Sequence, residues 1–339
     1  MAAEPSTRAN DDAVPAIAAI EGLRKRVEDV RTLSDEVKTR LRAHGVERLT
    51  GIQERCVEAA TTRGADVVCR APTGSGKTLA FVLPIAMMLE KCANEVKEGV
   101  LAVIVLPTRE LASQVLTHAE RYCGAEACAL CVGGASAQPQ EDAIRSRGAR
   151  VVIGTPGRIK EFIERKVISL STVKIQVLDE IDRLLDGGFE GEIDAVMKPP
   201  GTCQTLCFSA TISASLSRFL DRKLVPGYAE VNASGAGGSN VGGKVEHLSF
   251  AIKSDDESVG LAVVNALEHY ASKRVDGKVG GQAIIFTEMK STAERLRATL
   301  TNMFTTVRGS PIFLFFSTTT SMTNKLFKGF MRLESVPCS

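Results

Sequence analysis

An α/β fold, with a parallel sheet wrapped by helices on both faces, is predicted by three features of the 339-residue chain. Short apolar or β-branched runs recur at 66–70, 101–106, 128–132, 151–153, 175–178 and 205–208. Helix-compatible stretches separate most of them, among them 77–92, 109–122, 157–165 and 213–222. Such alternation builds a parallel sheet, because each helical crossover returns the chain to the same end of the next strand. Finally, the polar and glycine-rich clusters fall just after the apolar runs, at the strand ends where ligands gather in open α/β sheets.

The elements follow in order. Residues 1–26 are Ala-rich and aperiodic and read as a flexible leader. From Val27 to Ala60 the spacing of Val27, Val30, Leu33, Val37 and Leu41 suits an amphipathic helix, with a turn near His44-Gly45. The strand–helix alternation fills a domain that ends at residue 232, and residues 233–243 (Ala-Ser-Gly-Ala-Gly-Gly-Ser-Asn-Val-Gly-Gly) read as a linker. A second, partial unit over 244–300 is expected to hold helices at 257–272 and 291–300 and a strand at Ala283-Ile284-Ile285-Phe286. The composition then changes: six of the thirteen Phe lie after residue 300, with Glu334 as the sole acidic residue there. Residues 301–339 are therefore an atypical tail that leaves the alternation.

Bulk composition bounds the function. Apolar residues at 44% and charged residues at 24% are those of a soluble globular protein long enough for about two domains. A net charge of +2 gives no global basic field, so a polyanion has to be met by local placement of Arg and Lys. The nine cysteines include a cluster at Cys123, Cys128 and Cys131, but no second C-x-x-C and no nearby His accompany it. Reduced thiols are favoured over a zinc site, which points to a reducing compartment. No run is long enough to span a membrane, and Met1 to Asp12 lacks a secretory pattern and carries Glu4, Asp11 and Asp12. A soluble intracellular protein is expected.

Ala71-Pro72-Thr73-Gly74-Ser75-Gly76-Lys77-Thr78 follows one predicted strand and opens a predicted helix. This is the context of a phosphate loop: glycines let backbone N–H groups close around phosphates, and the helix N-terminus adds positive potential. Lys77 suits the β/γ-phosphates and the Thr78 hydroxyl suits Mg²⁺. Val177-Leu178-Asp179-Glu180 is an apolar strand ending in two acids. Taken alone it is compatible with a solvated strand end; beside a phosphate loop it suits a magnesium-organising Asp179 and a water-activating Glu180.

In order and approximate spacing, these and further motifs resemble the DEAD-box family of ATP-dependent RNA helicases over residues of roughly 27 to 300. Gly45 with Leu49-Thr50-Gly51-Ile52-Gln53 resembles the Q motif, and residues 71–78 motif I. Pro107-Thr108-Arg109-Glu110-Leu111-Ala112-Ser113-Gln114 resembles motif Ia, Gly133-Gly134 the glycine doublet and Thr155-Pro156-Gly157-Arg158 motif Ib. Asp179-Glu180-Ile181-Asp182 stands at motif II and Ser209-Ala210-Thr211 at motif III. Ile284-Ile285-Phe286 resembles the first strand of a second RecA-like domain.

The resemblance implies a RecA-like P-loop domain plus an incomplete second one, with ATP and Mg²⁺ as cofactors. Gln53 would read adenine, and Thr73, Gly74, Ser75, Gly76, Lys77 and Thr78 would hold the phosphates. Thr78 and Asp179 would hold the metal, with Glu180, Lys77 and Asp179 as the catalytic set. Asp182, Ser209 and Thr211 would couple nucleotide state to domain closure. Arg109, Gly134, Thr155, Gly157 and Arg158 would grip the RNA sugar–phosphate backbone without reading sequence. By themselves, Arg109 and Arg158 are also compatible with ordinary helix-start positions. Lys244-Val245-Glu246-His247-Leu248 and the Phe208-Ser209-Ala210-Thr211 context are similar to nucleolar helicases of the Gu type and their plastid relatives. That similarity leaves nucleus, nucleolus, plastid and cytoplasm open.

Several positions depart from the family. Ile181 stands where Ala is usual and Leu49 where Pro is usual, and Glu28 lies near the place of an upstream aromatic. After residue 300 the arginines are Arg308 and Arg332, and the arginine-finger motif of the second domain is not found. The tail is expected to be a substitution for the missing half-domain through a truncated or mis-spliced reading frame. Two readings stand: an ATP-dependent RNA helicase whose hydrolysis is impaired, or a non-hydrolysing RNA- or partner-binding module.

Overall fold

In a computed structural model of the chain, the residues described are 25–62, 64–72, 74–93, 99–199, 201–232, 256–271, 285, 289–308, 313–317 and 330–334. They belong to two compact units, Met1–Gly243 and Lys244–Ser339. The first unit begins with a 3-10 turn at Val27–Asp29 and runs through α1 (Asp35–Ala43), α2 (Gly51–Thr62), β1 (Val67–Arg70), α3 (Lys77–Cys92), β2 (Ala102–Val105) and α4 (Arg109–Cys123). It continues with β3 (Cys128–Cys131), α5 (Ala137–Arg145), β4 (Val151–Gly154), α6 (Pro156–Glu164), β5 (Ile175–Leu178), α7 (Ile181–Asp186), α8 (Glu190–Val196), β6 (Gln204–Ser209), α9 (Ala214–Lys223) and β7 (Ala229–Asn232).

The seven strands form one sheet in the order β3-β4-β2-β5-β6-β1-β7, and every pairing is parallel. Period-2 alternation sends each strand's side chains to two separate cores. Val67, Cys69, Ala102, Ile104, Val151, Ile153, Ile175, Val177, Leu206 and Phe208 join the core shared with α1 to α4. Val68, Val103, Val105, Val152, Leu178 and Cys207 join the core shared with α5, α6, α8 and α9. The predicted layering is therefore present: a parallel sheet, buried on both faces, reads as near-continuous apolar runs.

Over 27–60 the expected turn at His44-Gly45 is present, but the helical stretch before it is shorter than expected, with a 3-10 turn at Val27–Asp29 preceding α1. Ser34 accepts the Val37 N–H through Oγ and caps a new helix at Asp35. That helix stops where Gly45 takes φ +71° and Val46 N–H bonds back to the Leu41 carbonyl. Gly51 then opens α2. The apolar spacing persists through these breaks because both short helices and the 3-10 turn face one core.

In the second unit, α10 (Asp256–Ala271) and α11 (Lys290–Arg308) precede an antiparallel pair, β8 (Phe313–Ser317) and β9 (Phe330–Glu334). Leu296 and Leu300 of α11 pack with Val259, Val263, Val264 and Ile285. The strand expected at 283–286 lies outside the described residues apart from Ile285, which is in no strand, and the linker 233–243 lies outside them as well. The helix α11 runs on past residue 300 to Arg308.

Candidate nucleotide site and adjoining loops

Because all seven strands run the same way, one edge of the sheet collects every loop that follows a strand. Read along that edge, the order is Gly133-Gly134 after β3, Thr155 to Arg158 after β4, Pro107 to Arg109 after β2, Asp179 to Asp182 after β5, Ser209 to Thr211 at β6, and 71–78 after β1. The sequence-predicted residues thus divide into two adjacent groups. The motifs expected to meet a nucleotide follow β5, β6 and β1, while those expected to meet an RNA strand follow β3, β4 and β2.

The phosphate loop is held at both ends by the core. Ala71 N–H donates to the Ser209 carbonyl at 2.9 Å, so motif I begins locked to motif III. Gly74 and Gly76 take φ +81° and +90°, and Gly76 is the residue before α3; only glycine adopts this left-handed geometry without steric penalty. The first N–H groups of α3 have no helical acceptor and face the loop end. The Lys77 side chain is buried and its Nζ donates to the Ala71 carbonyl at 3.1 Å. Thr73 lies outside the described residues.

Gln53 is 5% exposed and reaches this loop from α2. Its Oε1 accepts the Thr50 N–H at 2.8 Å and its Nε2 donates to the Gly76 carbonyl at 3.1 Å. A Cβ at Gly76 would collide with that carboxamide. The Thr50 hydroxyl donates to the Ser75 carbonyl at 3.4 Å, a contact that sequence reasoning did not assign. In this state Gln53 braces the loop, and reading an adenine edge requires it to exchange these partners.

The acids sit at the tip of β5. Asp179 is 6% exposed and its Oδ1 accepts the Glu180 N–H at 2.9 Å. Burial pushes its carboxyl up to about 6, against the Lys77 ammonium and the Glu180 N–H, which favour the charged form. Glu180 takes φ +50°, a left-handed backbone uncommon for a side-chain-bearing residue. Its Oε2 lies 2.9 Å from Arg183 Nη1 as an ion pair, but that buried oxygen accepts no hydrogen bond among the described residues. Arg183 was not among the predicted site residues.

Asp182 faces the end of β6. Its Oδ2 accepts the Thr211 hydroxyl at 2.8 Å and the Thr211 N–H at 3.2 Å, while Ser209 Oγ donates to the Thr211 carbonyl at 2.6 Å. Burial pushes the Asp182 carboxyl up, yet the Thr211 and Ser209 hydroxyls and two backbone N–H groups outweigh it and hold it below the ordinary aspartate range.

On the other half of the edge, Arg109 starts α4 under the Thr108 cap, whose Oγ1 accepts the Leu111 N–H at 3.3 Å. Its guanidinium lies against Gly134, which has φ +76°, and a Cβ there would overlap it. Thr155 precedes α6 without using its hydroxyl as a cap, Pro156 takes the first helical position, and Gly157 is exposed. The Arg158 side chain turns inward. Its Nη2 donates to the Ala135 carbonyl at 3.1 Å, its Nε lies 3.0 Å from Glu161 Oε2, and its guanidinium carbon lies 5.5 Å from the Phe162 ring centroid.

A glycine-bent phosphate loop, an acidic strand tip and a carboxylate–hydroxyl link on one sheet edge define a P-loop nucleotide-binding domain. Residues 50–219 match the DEAD/DEAH box helicase family, and the chain belongs to that family. It is 32% identical over 278 residues to the DEAD-box ATP-dependent RNA helicase 7 of Arabidopsis thaliana, covering 79% of this chain and 40% of that protein. Among solved structures it is similar to a DEAD box protein from the hyperthermophile Methanococcus jannaschii, with 25% identity, a TM-score of 0.56, and 83% of this chain and 71% of that one covered. It is also similar to the DEAD-box helicase Mss116 bound to ssRNA and UDP-BeF, with 26% identity, a TM-score of 0.55, and coverage of 63% and 46%. These neighbours give the fold as RecA-like. The chain spans between 38% and 42% of the length of the first plant relatives it matches.

The residues present fit a magnesium–nucleoside triphosphate. Lys77 is a buried ammonium with one hydrogen bond to a carbonyl among the described contacts, leaving two donors for phosphate oxygens. Asp179 is a buried carboxyl whose charged form burial penalises and a nearby cation favours. Across the described residues no group of three or more His, Cys, Asp or Glu could hold a metal. One carboxylate and one hydroxyl with phosphate oxygens suit Mg²⁺, which usually keeps several waters. The eight described cysteines are free, six of them buried, and no described helix is long and apolar enough to cross a membrane.

Proposed function

We propose that this chain is the nucleotide-binding part of an ATP-dependent RNA helicase, coupling ATP hydrolysis to RNA strand separation or remodelling inside the cell. The single observation that carries the reading is the division of one sheet edge into a nucleotide half and a strand-binding half that meet between β2 and β5. Bound ATP with Mg²⁺ supplies the phosphoanhydride that is hydrolysed. Lys77 places positive charge against the β/γ-phosphates, and Thr78 and Asp179 hold the cation. Glu180, fixed by its left-handed backbone and the Asp179 contact, orients the attacking water. Asp182 and Thr211 tie that acidic turn to β6, the route by which nucleotide state reaches the rest of the site.

The RNA half works by shape and charge. Arg109, Gly134, Thr155 and Gly157 offer amides, a hydroxyl and a guanidinium group to a sugar–phosphate backbone, contacts that position a strand without reading its sequence. The solved neighbour holding ssRNA supports RNA as the partner. Arg158, turned inward, contributes by shaping the 133–136 loop.

The alternative reading is a non-hydrolysing RNA- or partner-binding module. RNA-stimulated ATP turnover of the 339-residue chain, beside Lys77→Ala, separates the two. Turnover well above the control supports the helicase reading; rates indistinguishable from it, with RNA binding intact, support the module.

A further inference from the structure

The loop between β3 and α5 is fixed from three sides by three different helices. From α5, Gln140 turns back on the strand end: its Oε1 accepts the Val132 N–H at 3.0 Å, and its Nε2 donates to the Val132 carbonyl at 3.1 Å and the Ser136 carbonyl at 3.0 Å. A carboxamide presents an acceptor and donors in one plane, so it meets a residue's N–H and C=O together, as a neighbouring strand does. β3 is an edge strand of the sheet, and Gln140 occupies the pairing position just past its end. From α6, Arg158 donates to the Ala135 carbonyl, and from α4, Arg109 lies against Gly134. Gly134, Ala135 and Ser136 are nevertheless exposed. The turn is thus anchored at the carbonyls of Val132, Ala135 and Ser136, on either side of the Gly133–Gly134 peptide groups, which remain available to a ligand.

We propose that Gln140 is a positioning residue for RNA: it holds the Gly133–Gly134 peptide groups in the arrangement that accepts a sugar–phosphate backbone. The proposal rests on the RNA-binding reading above. Preorganisation lowers the ordering that binding requires, so its removal weakens RNA affinity without touching the nucleotide loops, which follow β1, β5 and β6.

The test uses the full chain, a fluorescein-labelled single-stranded polyuridine RNA, and the variants Gln140→Leu and Gln140→Glu. Leu removes every contact and is expected to weaken RNA binding about tenfold at all pH values. An ionised Glu keeps the acceptor for Val132 N–H but sets an oxygen against two carbonyls; protonated, it donates again. The Glu variant is therefore expected to be about tenfold weaker than the wild type near pH 8 and to recover progressively as pH falls below about 5.5 toward the carboxylate range. Arg109 on α4, Glu141 and Asp142 on α5, and Arg158 and Glu161 on α6 are the charged groups around the loop. They are common to both proteins, so the variant-to-wild-type ratio cancels their titration.

Binding of a fluorescent ADP analogue is expected to stay within about twofold throughout. Should Leu fail to fold, the pH dependence of the Glu ratio decides. Wild-type RNA binding matched by both variants at every pH overturns the role of Gln140. Absence of RNA binding by the wild type overturns the reading beneath it, a different result in the same assay.

Discussion

Thr211 donates twice to a single oxygen of Asp182, through its hydroxyl at 2.8 Å and its backbone N–H at 3.2 Å. The end of β6 is thereby tied to the first turn of α7, and the depressed Asp182 carboxyl is the electrostatic trace of that tie.

Thr211→Val removes the hydroxyl contact and keeps the N–H. We expect about 1 kcal/mol of stability to be lost in urea unfolding at neutral pH. Nucleotide affinity should change little, while RNA stimulation of turnover should fall. The sign of the pH effect follows from the depressed pKa. The wild-type contribution is present above the unfolded aspartate value of about 3.9 and is lost as pH falls through the lower folded value. The gap between the two proteins should therefore close in acid; a gap independent of pH down to the acid transition would refute this.

Asp179 predicts an opposite sign. Its folded pKa of about 6 lies above the unfolded value, so its favourable contribution is complete below the unfolded pKa and is lost as pH rises through about 6. At pH near 8 Asp179→Asn should stabilise the ligand-free protein by on the order of 2 kcal/mol while abolishing the Mg²⁺ dependence of nucleotide binding. Differential scanning calorimetry with and without Mg²⁺–ATP checks both halves. A variant less stable than the wild type at that pH would count against the burial argument.

Gln53→Ala leaves the Thr50 N–H and the Gly76 carbonyl without their carboxamide partner. A loss of about 1 kcal/mol is expected from two half-buried groups left without that partner, together with weaker ATP binding and less discrimination against GTP. Competition titrations of the two nucleotides measure the second effect. Unchanged discrimination would mean that Gln53 only braces the loop.

Gly134→Ala introduces a side chain at φ +76° against the Arg109 guanidinium. Strain of about 1–2 kcal/mol is expected from the backbone alone, and Arg109 has to move. RNA binding should weaken about tenfold or more, seen by anisotropy, with ATP binding retained.

Much of this was legible in the sequence. The six apolar runs named at the outset all contain strands, because a parallel sheet buried on both faces leaves no polar alternation to confuse the reading. β7 was missed: Ala229-Glu230-Val231-Asn232 is an edge strand with a single buried residue, too short to stand out. The helix α5 was also missed, since Ala137-Gln138-Pro139-Gln140 carries no apolar stripe in its first turn, and Gln140 went unnoticed with it. The candidate site residues were picked out by motif order, whereas Gln53's bonds to Thr50 and Gly76 and the inward turn of Arg158 depend on distances that no spacing encodes.

The order of loops along the sheet edge has a thermodynamic corollary. Among the described residues, the β3–β4 loops and the β1–β6 loops share no hydrogen-bond partner, so the effects of their substitutions on ligand affinity should add in double-mutant cycles. Cooperativity between the two ligands within this unit then crosses a seam formed by the β2–β5 pairing from Ala102↔Ile175 to Val105↔Leu178 and by α3 packed on α4. Non-additivity concentrated in pairs that straddle it would map where the energy of one ligand becomes legible to the other.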